Sequence, residues 1–168
     1  MPVRRLNHAV LYVRDVARSV AFYKEALGFE VVHQSGSAAF LRAGASTNDH
    51  DLGLFAIGAA ALDHEAGSRR VGLYHLAWEV ETLEDLARLR DGLAALGALV
   101  GASDHKTTKS LYAKDPDGIE FEVCWVVPKA RLSEAGGSMD GVAPLDLDEE
   151  IARFGATTPG GIGISWPG

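Results

Sequence analysis

The sequence predicts an α+β fold assembled from two paired βαβββ modules followed by a C-terminal tail. Two observations carry this: an internal repeat with an offset of 67 residues, and in each copy one amphipathic helix followed by β-prone runs cut by turn residues. Residues 6–13 read Leu-Asn-His-Ala-Val-Leu-Tyr-Val and residues 73–80 read Leu-Tyr-His-Leu-Ala-Trp-Glu-Val, two short apolar strands with His in third place. Self-similarity of this kind implies two copies of one supersecondary unit.

In the first copy the strand is followed by Asp15-Val16-Ala17-Arg18-Ser19 and then by apolar Val20, Phe22, Tyr23, Ala26 and Leu27. Apolar spacing of three and four is helical, and Gly28 supplies a C-cap. The second copy begins Thr82-Leu83-Glu84-Asp85, a capping-box-like start, and continues with Leu86, Leu89, Leu93 and Leu96 up to Gly97. Here the offset has grown to 69, as a two-residue insertion would produce. Further strands are predicted near 29–34, 37–43 and 50–57, and near 98–103, 108–114 and 119–127. Asp115-Pro116-Asp117-Gly118 is a strong turn between the last two, with Pro placed for a turn and Gly free to take φ > 0. The modules are thus expected at 4–57 and 71–128, joined by a linker at 58–70 rich in Ala, Gly, His and charge. In the tail, 129–168, a short helix is expected at 146–154, capped by Asp146 or Asp148, with Leu147, Ile151 and Phe154 on its apolar side. The rest of the tail is Gly- and Pro-rich and is expected to be extended or partly disordered.

Composition excludes several function classes. The 168 residues carry 16 Lys+Arg against 23 Asp+Glu, a net charge of -7, so no basic footprint for nucleic acid is present. The single cysteine, Cys124, cannot form an intramolecular disulfide or a Cys-rich zinc site, and it reads as a buried strand residue. No apolar run approaches the roughly 20 residues of a membrane helix, and no export signal follows Met1, so a soluble cytoplasmic protein is expected.

Chemistry enters with the histidines. Side chains alternate along a strand, so His8 shares a face with Val10 and Tyr12, and His75 with Ala77 and Glu79. Related by the repeat, both imidazoles should occupy equivalent places about a pseudo-twofold axis and could meet at its centre. Glu120 and Glu122 share a face of an otherwise apolar strand, where a carboxylate is costly to bury unless a charge such as a metal ion compensates it. Two neutral imidazoles and one carboxylate form the facial triad that leaves open positions on a divalent metal. A lone strand His is usually an ordinary core or edge residue; the matched pair with a nearby carboxylate favours metal binding. Glu79, Glu81 and the acidic stretch 146–150 read as solvated or capping charge.

The run Leu6-Asn7-His8 through Asp15, with Ser19, Phe22-Tyr23 and Leu27-Gly28-Phe29, resembles the opening of the vicinal oxygen chelate superfamily, which includes glyoxalase, bleomycin-resistance proteins and extradiol dioxygenases. Asp115-Pro116-Asp117-Gly118-Ile119-Glu120-Phe121-Glu122 is similar to that superfamily's closing motif, whose metal-binding Glu lies seven residues after the first Asp, which selects Glu122. The resemblance spans about residues 5–128. It implies modules paired into a curved mixed sheet around a central metal site held by His8, His75 and Glu122. Ile119 departs from the usual Asn, and the two modules here compare with four in many full-length extradiol enzymes.

Three matches resemble the type I extradiol, catechol 2,3-dioxygenase-like branch. His50-Asp51-Leu52-Gly53-Leu54 is similar to the strand carrying its acid-base His, while Asp104-His105 and Ser110-Leu111-Tyr112 are similar to its substrate-contacting segments. This implies a ring-cleaving dioxygenase of a small aromatic diol, with O2 as co-substrate, His50 as acid-base group and His105 and Tyr112 as substrate contacts. The implied metal is Fe(II), with Mn, Ni or Zn as alternatives, and the implied assembly is a homodimer or larger homo-oligomer. Two other readings stay open. A glyoxalase- or epimerase-like metalloenzyme would need a second carboxylate near 53–55, where Gly53, Leu54 and Phe55 stand and Asp51 is the nearest acid. A bleomycin-resistance-type binding protein would work without catalysis and generally lacks the ligand set.

Overall fold

The computed structural model describes residues 2–3, 5–65, 69, 71–135 and 141–163. The first module comprises β1 (Ala9–Val13), α1 (Val16–Leu27), β2 (Glu30–Gln34), β3 (Ala38–Arg42) and β4 (Leu52–Ala56). The second repeats it as β5 (Leu76–Glu79), α2 (Leu83–Ala95), β6 (Leu99–Asp104), β7 (Thr108–Lys114) and β8 (Glu120–Val126). The protein is of the α+β class, and each module makes its own open sheet. The order is β1-β4-β3-β2 in the first and β5-β8-β7-β6 in the second, which is extended by the two-residue β9 (Ala143–Pro144). In both sheets the first strand of the module runs parallel to the last, and the remaining module strands pair antiparallel.

Two compact units result: Met1–Glu65 with Asp115–Ile119, and Ala66–Lys114 with Glu120–Gly168. The Asp-Pro-Asp-Gly turn, expected within the second module, therefore belongs to the first unit. Its polar anchors explain why. Asp115 accepts from the buried Tyr23 hydroxyl at 3.2 Å. Asp117 accepts from the Arg14 amide at 2.9 Å and guanidinium at 3.0 Å, and from Arg18 at 2.5 Å.

Within the first unit, Asp15 caps α1 by accepting from the Arg18 amide, and Gly28 ends it in the left-handed conformation at φ 68°. Val16, Val20, Tyr23 and Ala26 form the buried face of α1, which packs on β3 and β4, where Leu41, Leu52 and Leu54 are fully buried. On the alternate positions of β1, Val10 and Tyr12 remain exposed.

In the second unit Thr82 and Asp85 form a reciprocal capping box at the start of α2. Leu83, Leu86 and Leu93 are fully buried, and Gly97 follows the helix at φ 66°. The described part of the tail carries more secondary structure than the one short helix expected. Residues Lys129–Ala135 form a 3-10 helix, β9 pairs with β6, and α3 (Leu147–Phe154) starts at an Asp146 cap. Trp125, fully buried, packs with its ring tilted against Phe154 at 5.4 Å and donates to the Thr158 carbonyl at 3.2 Å. A Cβ at position 160 would stand 3.1 Å from the indole, so Gly160 permits this close seat. Within the acidic stretch 146–150, Asp146 caps α3 and Asp148 and Glu149 are exposed, in line with a solvated or capping role, but Glu150 departs from it: it is 4% exposed and paired with Lys109. Linker residues 66–68 and 70 and tail residues 136–140 and 164–168 lie outside the described residues. Among the described residues no helix is long and apolar enough to cross a membrane.

Candidate active site

The second unit brings four of the predicted site residues together in two pairs. His75, at the entrance to β5, places Nε2 3.1 Å from Oε2 of Glu122 on β8. The other carboxylate oxygen, Oε1, accepts from the Ser110 hydroxyl at 2.5 Å. Tyr112 lies opposite Glu122 in the β7–β8 register and hydrogen-bonds His105 Nε2 at 2.8 Å. The His75 ring meets Tyr112 edge-on at 5.8 Å and lies 4.7 Å from Tyr74. Burial, and then the charge of Glu122, pushes the Tyr112 hydroxyl up to about 12. At neutral pH the phenol therefore keeps its proton and can donate. Burial likewise pushes the Cys124 thiol up to about 12, which leaves it an inert strand residue as expected.

The first unit brings His8 and His50 together, with ring centroids 4.4 Å apart. His8 Nδ1 is 2.7 Å from Asn7 Oδ1, a bond that fixes the tautomer and leaves Nε2 as the free lone pair. His50 lies edge-on to Phe40 at 5.0 Å, and its Nε2 is buried without a hydrogen-bond partner. Phe40 in turn meets Phe55 at 5.9 Å. Each unit thus carries part of the predicted set. Among the described residues no group of three or more His, Cys, Asp or Glu side chains stands together as a metal site.

The donors fit a divalent metal chemically. Two neutral imidazoles and a carboxylate are the facial-triad set. In the second unit, Ser110 occupies one oxygen of Glu122 and leaves the other facing His75. His75 Nδ1 is buried without a hydrogen-bond partner, a cost that an ordinary core histidine would avoid by pairing. Ser110 had no assigned role in the sequence; the signal for it was its alternate-residue spacing from Tyr112 on one strand face, which makes it a diagonal neighbour of Glu122. Ser110→Ala should lower metal affinity about 10- to 100-fold without unfolding the chain, measured by metal titration beside a thermal melt.

Register also locates the repeat equivalent of Glu122. Ala77 pairs with Glu122 in the second sheet, and Val10, its repeat counterpart, pairs with Gly53 in the first. A glycine therefore stands at the repeat equivalent of Glu122, with no carboxylate there. The nearby acid, Asp51, is engaged elsewhere: its oxygens accept from the Ala43 amide at 2.9 Å, the Ser46 hydroxyl at 2.7 Å and the Asn48 amide group at 2.7 Å. It organises the 43–51 loop that delivers His50.

A family model described as the Glyoxalase/Bleomycin resistance protein/Dioxygenase superfamily matches residues 5–123. The manganese-dependent 2,3-dihydroxybiphenyl 1,2-dioxygenase of Geobacillus genomosp. 3 is 26% identical over 159 residues, which cover 87% of this chain and 47% of that protein. The chain thus spans about half the length of that relative. The metallothiol transferase FosB of Lysinibacillus sphaericus (strain C3-41) is 26% identical over 125 residues, covering 73% of this chain and 82% of FosB. Among solved structures, a glyoxylase/bleomycin resistance protein/dioxygenase domain from Frankia sp. EAN1pec is similar at a TM-score of 0.58 and 26% identity, covering 73% of this chain and 98% of that one. With the family match extending over both βαβββ modules, this chain belongs to the glyoxalase/bleomycin resistance protein/dioxygenase superfamily.

Proposed function

We propose that this protein is a metal-dependent extradiol dioxygenase of the catechol 2,3 type, which opens the ring of a small aromatic diol with O2 and leaves both oxygen atoms in the product. The observation that carries the reading is the second-unit constellation. There His75 and Glu122 stand side by side, Ser110 holds the carboxylate, and Tyr112 stands opposite it, hydrogen-bonded to His105. Gly53 at the repeat equivalent of Glu122 supports a three-ligand set over the four-ligand set of a glyoxalase- or epimerase-like enzyme.

In this reading His8, His75 and Glu122 hold the metal, Fe(II) by expectation, with Mn, which the Geobacillus relative's name specifies, as the next candidate. When bound, the ion would supply Lewis-acid chemistry toward the vicinal oxygens of the diol and redox chemistry toward O2. The chain's own groups position substrate and move protons. Tyr112, protonated at working pH, donates to a diol oxygen, and His105, its hydrogen-bond partner, fixes the phenol's direction. His50 takes a proton from a diol hydroxyl and returns it during ring opening, since an imidazole can both accept and donate a proton through its ring nitrogens. Phe40, edge-on to both His50 and Phe55, supplies apolar surface next to the acid-base group. The same reading makes the protein a cytoplasmic homodimer or larger homo-oligomer.

The test is metal analysis of anaerobically purified protein followed by addition of a catechol and air. Bound iron or manganese with a yellow ring-cleavage product is expected. Nickel or zinc with thioester isomerisation would replace the reading by a glyoxalase, and absence of any metal by a binding module. His50→Phe should keep the metal while slowing turnover about 10²- to 10⁴-fold. Loss of metal in that variant would show that His50 is a ligand instead.

A further inference from the structure

We propose that the C-terminal helix α3 positions His105, acting through the buried relay Glu150, Lys109 and Asp104. The inference rests on the dioxygenase reading for what His105 does, but not for how His105 is held.

Lys109 lies on β7 with its side chain fully buried. Its ammonium is 2.6 Å from Asp104 Oδ1 and 2.8 Å from Glu150 Oε2. Glu150 is aimed from the opposite side, where Arg153 reaches its Oε1 at 3.2 Å. Filling this space with apolar side chains would be no less stable, since a buried ion cluster rarely outperforms hydrophobic residues of similar volume. What the charges add is direction, and the direction ends at one turn.

Asp104 closes β6, and its Oδ1 accepts from the Lys106 amide at 2.7 Å as well as from Lys109. Lys106 has φ 68°, the only non-glycine residue at positive φ among the described residues. A Cβ-bearing residue is held there only where its surroundings over-determine it. The turn is closed by His105 N–H donating to the Thr108 carbonyl at 2.9 Å and by Thr107 N–H donating to the His105 carbonyl at 2.8 Å. His105 is the residue between Asp104 and the strained Lys106, and its ring reaches Tyr112 at 2.8 Å. The tail grips the same point a second time, because β9 pairs Ala143 with Asp104. Glu150, Lys109 and Asp104 are therefore positioning residues.

The test uses the 168-residue chain labelled with 15N-histidine and kept free of paramagnetic ions. His105 ring resonances are assigned by their loss in His105→Gln. In Glu150→Gln, and in the double variant Lys109→Met/Glu150→Gln, which leaves no unpaired cation, the His105 ring nitrogens should shift to the values of a tautomer-averaging imidazole. The other five histidines should hold their wild-type positions. With an active enzyme, kcat should fall on the order of 10²-fold in the same variants, because small misplacements of a positioned group are that costly. Unchanged His105 resonances in both variants, or a common shift of all histidines reflecting general loosening, would overturn the relay. A wild type that shows the relay's spectral signature but no ring cleavage leaves the relay standing and overturns the dioxygenase reading instead.

Discussion

Glu122→Ala should empty the metal site and reduce ring cleavage by about 10³-fold or more. In the proposed triad this carboxylate is the sole anionic ligand, and it is 13% exposed. Removing it leaves two neutral imidazoles to hold a dication. A metal contributes several kcal/mol of charge stabilisation to its reaction, and each 1.36 kcal/mol is tenfold in rate, which gives the expected loss. Glu120→Ala is the control, since Glu120 lies on the same strand face opposite Lys114 and has no place in the ligand set. His8→Ala should reproduce the Glu122 phenotype, as it removes another ligand of the proposed triad. Metal content per chain and kcat/KM measured together decide the matter: a Glu122→Ala protein with wild-type metal content would sink the assignment.

Much of this architecture was legible because the repeat doubles every local signal. Asp15 and Gly28 bracket α1, and Thr82 and Asp85 open α2, since caps satisfy backbone groups within a few residues and so leave their mark in short sequence windows. Glu122 was singled out beside His75 by the resemblance to the closing motif, while the parallel pairing of β5 with β8 that sets the two side by side appears only in the fold. Three features were not readable, each for a physical reason. The equivalence of Gly53 and Glu122 depends on strand register, which the drifting offset of 67 to 69 blurs. Asp51 reads as a free acid until the 43–51 loop folds around it. Lys109 and Glu150 lie 41 residues apart, with β8, the 3-10 helix and β9 between them, so nothing local marks either as buried. An acidic residue between Asp148, Glu149 and Arg153 reads as solvated because only tertiary packing distinguishes the inward face of an eight-residue helix.

Lys109→Ala should be the most destabilising polar substitution in the second unit, at about 3–5 kcal/mol, because it leaves Asp104 and Glu150 without their buried cation. Against a total stability of about 5–15 kcal/mol this is a large fraction. At roughly 2–4 °C per kcal/mol for a chain of this size, the midpoint should fall by about 10 °C or more. The deficit should also depend on pH with a defined sign. Burial alone would raise the Asp104 carboxyl, but the hydrogen bonds from Lys109 and the Lys106 amide outweigh it and hold the group below its ordinary value of 3.8. A carboxylate depressed in the folded state stabilises it above the unfolded pKa, and that contribution fades as pH falls through the folded value. Wild type therefore loses the benefit of the pair in acid, while Lys109→Ala has already lost it at every pH. The gap between the two proteins should be widest near pH 7 and should narrow below about pH 4, as Asp104 protonates and the wild type loses what its depressed carboxylate contributes. Urea unfolding at both pH values measures the gap directly. A deficit that stayed constant across the range would mean that Lys109 acts by filling space rather than by holding Asp104 and Glu150 in place.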